Sequence, residues 1–218
     1  GLGDVYKRQQ KEVSAMKKNW KYSLLLIVAV FALTMGIFFL FYRFDNKYTA
    51  RGDQAIQGIL YVSDDDSVHY LAREWEYYPD VLLTPQEIKE QKEDYYSRYV
   101  SIGEYGGMDL GDKNKSPFGS GTYRMTLVLP EKEKQYAIGL TEIFSAYKLY
   151  INGELMGQMG NPDLDNYQEQ IQNRVFTFEG KGTAEIVIAV TDKHSVSSGI
   201  QYVPVLASPF KAVSYTHL

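Results

Sequence analysis

Ala146-Tyr147-Lys148-Leu149-Tyr150-Ile151-Asn152-Gly153-Glu154-Leu155-Met156 reads as two strands joined by a two-residue turn. An Asn-Gly pair between alternating strands is the strongest short hairpin signal, because both turn residues must take positive φ. Downstream, Val175–Phe178, Ala184–Val190 and Gly199–Leu206 have strand character. Upstream, Thr122–Leu129 alternates and places Tyr123, Met125, Leu127 and Leu129 on one face, and Tyr136–Leu140 follows it. Gln57–Val62 and Glu74–Tyr78 extend the series, the latter a half-buried strand ending at Pro79. About eight strands with short turns predict an all-β sandwich. The composition agrees: 19 Tyr and 10 Phe supply strand-favouring side chains.

One helix interrupts the pattern. Thr84 is its N-cap, Pro85 its first helical residue and Glu87 the return half of a capping box. It is expected through Asp94, polar enough to lie on the surface. Ser63–Ser67 reads as a turn, and Gly103–Gly121, with six glycines and a proline, as a long loop.

Before the sandwich lies an apolar run. Tyr22–Tyr42 holds 21 residues without a charge, and about 20 helical residues cross a bilayer core. Trp20, Tyr22 and Tyr42 stand where interfacial aromatics belong. A cleaved signal peptide is the alternative; the length of the run and the lack of a small-x-small cleavage pattern weigh against it. Lys17, Lys18 and Lys21 precede the span, while Arg43, Lys47 and Arg51 follow it, diluted by Asp45 and Asp53. The balance is a slight vote for an internal N-terminus. Residues 43–55 read as a linker.

Both ends look foreign. Gly3–Gln9 and Val213–Leu218 match translations of one sequencing-transposon end in opposite senses, so residues 1–15 and 212–218 are set aside. Lys11-Glu12-Val13 can be encoded by a ribosome-binding sequence, and Met16 follows as the expected start. The expected organisation is a cytoplasmic tail at 16–21, a membrane helix at 22–42, a linker at 43–55 and an extracytoplasmic sandwich at 56–211, with the parent protein continuing past Lys211.

Charge narrows the partners. Through Arg43 the net charge is +5, and from Phe44 onward it is −9. Phosphate binding needs clustered Lys and Arg, so nucleic acid is not expected. Cysteine is absent, which excludes disulfides and thiolate metal sites.

Glu74-Trp75-Glu76-Tyr77-Tyr78-Pro79, Gly121-Thr122-Tyr123-Arg124, Phe144–Gly153 and Ser197-Ser198-Gly199-Ile200 occur in this order. The series resembles the extracellular sensor domain of bacterial seven-transmembrane receptors with diverse intracellular signalling modules, and of related sensor histidine kinases and diguanylate cyclases. That domain is a galactose-binding-like jelly roll, similar also to the sugar-binding N-terminal domain of β-galactosidases. The resemblance spans roughly residues 56–211. It departs at Thr191-Asp192, where such families often carry Ser-Asn. It implies further membrane helices and a cytoplasmic output domain after Lys211.

Three residues are candidate ligand contacts. Trp75 could stack on a sugar ring, although a Trp in an alternating strand is more often core. Arg124 could grip a hydroxyl or carboxylate through its planar fork, with pairing to an acid as the competing role. His194 lies in the Asp192-Lys193-His194-Ser195 loop, where it could touch a ligand. Asp64-Asp65-Asp66 reads as a solvated turn, since the glycine and distal Glu of an EF-hand loop are missing. His69 and His194, 125 residues apart, have no ligand-spaced partner, so zinc is unsupported. No nucleophile elbow or Gly-Lys-Ser/Thr phosphate loop is present, Arg51-Gly52-Asp53 is too short to signify adhesion, and no cofactor is implied. The first expectation is a non-catalytic sensor input domain that takes a small ligand, such as a carbohydrate, or a protein partner. The alternatives are a membrane-anchored carbohydrate-binding module of a glycoside hydrolase and a dimerisation or envelope-contact module.

Overall fold

The computed structural model describes residues 2–44, 55–90, 95–195 and 197–216. Most of the expected linker, the Arg51-Gly52-Asp53 tripeptide and the expected helix end at 91–94 lie outside the described residues. The chain divides into two units, Gly1–Thr49 and Ala50–Leu218.

The first unit is one helix, α1 (Leu2–Phe44). Within it Trp20–Phe41, 22 residues, is long and apolar enough to cross a membrane. The helix starts well before the apolar run because Lys7–Glu12 consists of good helix formers.

The second unit is an all-β jelly-roll sandwich. Its elements are β1 (Ile59–Tyr61), β2 (His69–Tyr70), β3 (Trp75–Pro79), α2 (Pro85–Glu90), β4 (Arg98–Val100), β5 (Gly119–Val128), β6 (Lys134–Leu140), β7 (Ala146–Ile151), β8 (Glu154–Met159), β9 (Arg174–Gly180), β10 (Thr183–Asp192), β11 (Val205–Ala207) and α3 (Pro209–Thr216). One sheet runs β4-β3-β5-β10-β7-β8, with β1 added in parallel to the far half of β5; the other runs β2-β11-β6-β9.

Between the sheets lie Trp75, Tyr77, Tyr123, Met125, Leu127, Tyr147, Leu149, Ile186 and Ile188 from the first, and Tyr136, Ile138, Leu140, Phe178 and Leu206 from the second. The alternation expected over 122–129 holds: Tyr123, Met125, Leu127 and Leu129 are all buried. The 152–153 turn forms as read, with φ of 52° at Asn152 and 89° at Gly153. Asn152 also tethers the hairpin to β10: its Oδ1 accepts from the Glu185 amide at 2.9 Å, and its own amide donates to the Glu185 carbonyl at 2.9 Å.

Several boundaries differ from expectation. β5 begins inside the expected loop, at Gly119, because Gly121 leaves room for the Tyr77 ring, which a Cβ there would strike. The strand expected over 199–206 shrinks to β11, since Gly199 turns at φ 78° and Pro204 has no amide for a ladder. β3 is more than half-buried: α2 covers its outer side, so Tyr78 is buried with Leu83, Ile88 and Val187. The capping box is as expected, with the Thr84 amide donating to Glu87 Oε2 at 2.7 Å and the Glu87 amide to Thr84 Oγ1 at 3.3 Å. β2 and β4 were too short for any alternation to show. α3 was not expected; Ala212 seats it against Ala137 and Ala207, whose small side chains let the helix approach the sheet.

Candidate functional site

The three candidate residues do not converge. Glu76 and Arg124 are ladder partners, so they share the outer face of the first sheet, and Trp75 points to the opposite face. Trp75 is 0% exposed, with its indole Nε1 donating to the Leu71 carbonyl at 2.6 Å and its ring edge-on to Tyr123, the centroids 6.4 Å apart. No face of the ring is open to a sugar, which corrects the stacking expectation: the alternation that set Trp75 in a strand also turned it inward.

Arg124 sits between two acids. Its Nε donates to Glu185 Oε1 and its Nη1 to Glu76 Oε2, both at 2.9 Å. Lys89 stands 3.6 Å from Glu185 Oε2, beyond hydrogen-bond distance. The guanidinium is thereby held across β3, β5 and β10, the pairing role foreseen as its competitor. Arg124→Met is expected to destabilise the domain by about 1–3 kcal/mol: breaking a fully buried pair costs about 3–5 kcal/mol, and these side chains are 13–29% exposed, so solvent screens part of that. Thermal unfolding would check it, and an unchanged midpoint would show the cluster to be ornamental.

His194 is 62% exposed on its side chain. Its Nε2 lies 3.4 Å from Glu169 Oε2, and Tyr167 meets the ring edge-on at 5.6 Å. The loop is fixed by the neighbouring Asp192, 1% exposed, which accepts from the amides of His194 and Ser195 on Oδ1 and from Ser145 Oγ on Oδ2, each at 2.8 Å. The departure at this position thus serves as an internal clamp.

A different group of residues surrounds a cavity of about 220 Å³ at one end of the second sheet. Its floor is Val62, Ala207 and Tyr136, and its rim carries Asp65, Ser67, His69, Lys134, Gln135 and Ser208. The 63–67 turn supplies an ordered network. Ser63 and Ser67 hydroxyls donate to Asp65 Oδ1 at 2.5 and 2.6 Å, and Ser67 Oγ lies 3.0 Å from the Nε2 of the buried His69. Those hydroxyl bonds, Ser63 first, hold the Asp65 carboxyl down at about 2. Lys134 pairs with Asp64 and Lys211 with Asp66, the latter at 2.8 Å, and each bond draws its carboxyl below the usual range. Tyr136 is 6% exposed and stacks on Phe178 with centroids 5.7 Å apart.

Sequence reading noticed the acidic turn and His69 separately. Nothing in their spacing linked them to Lys134 and Tyr136, which β6 brings alongside.

No protein-family model and no curated protein matches the sequence. Among solved structures, the chain is similar to a putative β-galactosidase from Bacteroides fragilis at 17% identity and TM-score 0.46, covering 64% of this chain and 23% of that one. It is also similar to a β-galacturonidase of glycoside hydrolase family 2 from Eisenbergiella tayi at 8% identity and TM-score 0.43, over 65% and 24%. An uncultured Clostridium sp. β-glucuronidase matches at 14% and TM-score 0.42, over 72% and 31%. The chain spans about a quarter to a third of the length of these proteins. Likenesses at this level concern the fold, and no activity follows from them.

Proposed function

We propose that this chain is the ligand-sensing, extracytoplasmic input end of a membrane signal-transduction protein, of the sensor histidine kinase or diguanylate cyclase type. The observation that carries the reading is the joining, in one chain, of a 22-residue apolar helix to a sandwich with a polar-rimmed cavity. The sequence resemblance over 56–211 supports the output type and the orientation, with 16–21 inside, the span at 22–42 and the sandwich outside. Ligand binding would bias the sandwich between two states, and only a ligand with different affinity for the two transmits anything.

The test is to sequence the gene past the codon for Lys211. Several apolar runs of about 20 residues followed by a kinase or cyclase domain are expected. A soluble catalytic barrel there would instead make the chain an anchored carbohydrate module of a hydrolase. Orientation is checked by adding protease to intact spheroplasts, which is expected to remove the sandwich and leave the span.

A further inference from the structure

We propose that the outer face of the first sheet, along the edge made by β1 and β4, is a docking surface for the headgroup layer of a lipid bilayer. The proposal rests on the reading of Trp20–Phe41 as a membrane span, and it adds a second membrane contact made by the sandwich itself.

Two short strands build the surface. Ile56-Gln57-Gly58-Ile59 closes a two-residue turn, with φ of 50° at Gln57 and 75° at Gly58. Reciprocal backbone bonds of 2.9 and 3.0 Å join Ile56 to Ile59. Residues directly opposite in an antiparallel pair share a face, so these two side chains project together. Ile59 and Tyr61 pair with Thr126 and Val128, which lie two and four residues past Arg124 and so share its outer face. Tyr99 pairs with Glu76 on that face, and a Cβ on Gly58 would meet its ring at 3.6 Å. Four apolar or aromatic side chains therefore adjoin, and all are exposed, Ile56 at 68% and Tyr61 at 71%. Leu60 alone turns into the core, so packing within the sandwich does not account for the other four. A contiguous exposed apolar patch marks a contact with protein or membrane.

Charge favours a neutral partner. On the same face Arg124 is matched by Glu76 and Glu185, and Lys89 stands 3.6 Å from Glu185. Arg98 pairs in the ladder with the inward Tyr77 and lies over the Tyr105 ring. Arg73 and Glu74, which lead from the border by Gly58 into β3, are of opposite sign. A balanced face suits a zwitterionic headgroup layer, where tyrosines bury the ring and keep the hydroxyl wet.

Size and tethering decide between the bilayer and a second copy of the chain. A stable protein pair takes about 20–30 residues from each side, and this patch has four. Residues 42–55 separate the span from Ile56. A chain extends at most about 3.3–3.6 Å per residue, so the patch always lies within about 50 Å of the bilayer. The tether makes docking intramolecular, and a patch too small to hold a free domain to lipid suffices. Because α2 stands on the neighbouring part of the face, over Tyr78 and Val187, the contact is made by the β1–β4 edge and not by the flat of the sheet.

The chain has no cysteine, so one introduced thiol takes one nitroxide label. The test places the full chain in phosphatidylcholine nanodiscs and measures collisions of the label with a water-soluble nickel complex and with oxygen. Gln57→Cys, exposed at the turn, leaves all four patch side chains intact. Leu155→Cys, exposed on β8 at the other edge of the sheet, is the reference in water, and Ala32→Cys reports the span. Nickel collisions at 57 are expected to fall about tenfold below those at 155, the ratio for a docked state favoured by roughly 1.4 kcal/mol. Adding Ile56→Asp with Tyr61→Asp should restore them to the level at 155 without moving the thermal midpoint, since both side chains are exposed. Equal collisions at 57 and 155, with 32 shielded, would overturn the docking surface and leave the span standing. Shielding at 57 that survives the two aspartates would overturn the patch. Shielding accompanied by dipolar broadening that vanishes on dilution with unlabelled chain would assign the patch to a second copy. Nickel access at 32 would overturn the membrane reading and the docking surface with it.

Discussion

Trp75→Ala is expected to lower the stability of the sandwich by about 3–5 kcal/mol. The side chain is among the largest fully buried ones, packed against Tyr123 and hydrogen-bonded to the Leu71 carbonyl. Truncation removes its apolar area from the core, leaves a cavity that the rigid surroundings cannot collapse, and orphans that carbonyl. A domain holds only about 5–15 kcal/mol in total. One kcal/mol moves the midpoint of a 150–250-residue domain by about 2–4 °C, so the midpoint should fall by roughly 10 °C. Thermal unfolding of the full chain in micelles, followed by near-ultraviolet circular dichroism, measures it. A fall of under about 3 °C, less than the truncation of one buried aromatic can produce, would place the ring outside the core. Trp75→Phe should cost less, because it keeps most of the volume.

Asp192 yields the second large effect, and a contrast within one position. Asp192→Ala strips the acceptor from two backbone amides and from Ser145 Oγ, all at 2.8 Å, at a site 1% exposed. The expected loss is about 3–5 kcal/mol, the scale for removing one partner from a buried charged network. Asp192→Asn should cost less, about 1–3 kcal/mol, because the buried Ser145 hydroxyl loses the acceptor for its proton. Its Oδ1 still accepts from the His194 and Ser195 amides, and its new amide can donate to Ser145 Oγ, which already accepts from the Gly199 amide at 3.3 Å. Hydrogen exchange at the His194 and Ser195 amides separates the cases: fast in the alanine variant, near parental in the asparagine one. Equal damage from both would mean that the negative charge, and not the acceptor geometry, holds the loop. The Ser-Asn expected from the resemblance and the Thr191-Asp192 observed are then two chemical versions of one clamp.

What sequence reading could see follows from range. The Asn152-Gly153 turn, the alternation of Tyr123, Met125, Leu127 and Leu129, the Thr84–Glu87 box and the apolar span each depend on neighbours a few residues apart, and all four formed. The faces of Trp75 and Arg124 were also implicit, since residues 75 and 124 lie on opposite sides once Glu76 is known to pair with Arg124. That pairing joins strands 48 residues apart, and no local pattern announces it. The cavity was hidden for the same reason: Val62, Asp65, His69, Tyr136 and Ala207 meet only because β11 lies between β2 and β6. Loop and strand limits failed where a single glycine or proline decided them, as at Gly119 and Pro204.

Strand β10 lies between β5 and β7, and its partners, Gly119–Val128 and Ala146–Ile151, are all made before it. A ribosome adds about 5–20 residues per second, so β5 waits on the order of several seconds for its central neighbour to be synthesised. Over that interval β5 has its β3 and β1 neighbours but lacks the strand on its other edge, so the core around Tyr123, Met125 and Leu127 stays incomplete. Long-range pairing of this kind also folds slowly once the chain is complete. Biogenesis of this domain therefore carries a window in which a central strand with one open edge is exposed to chaperones and to other nascent copies, and the window closes only when Thr183–Asp192 arrives.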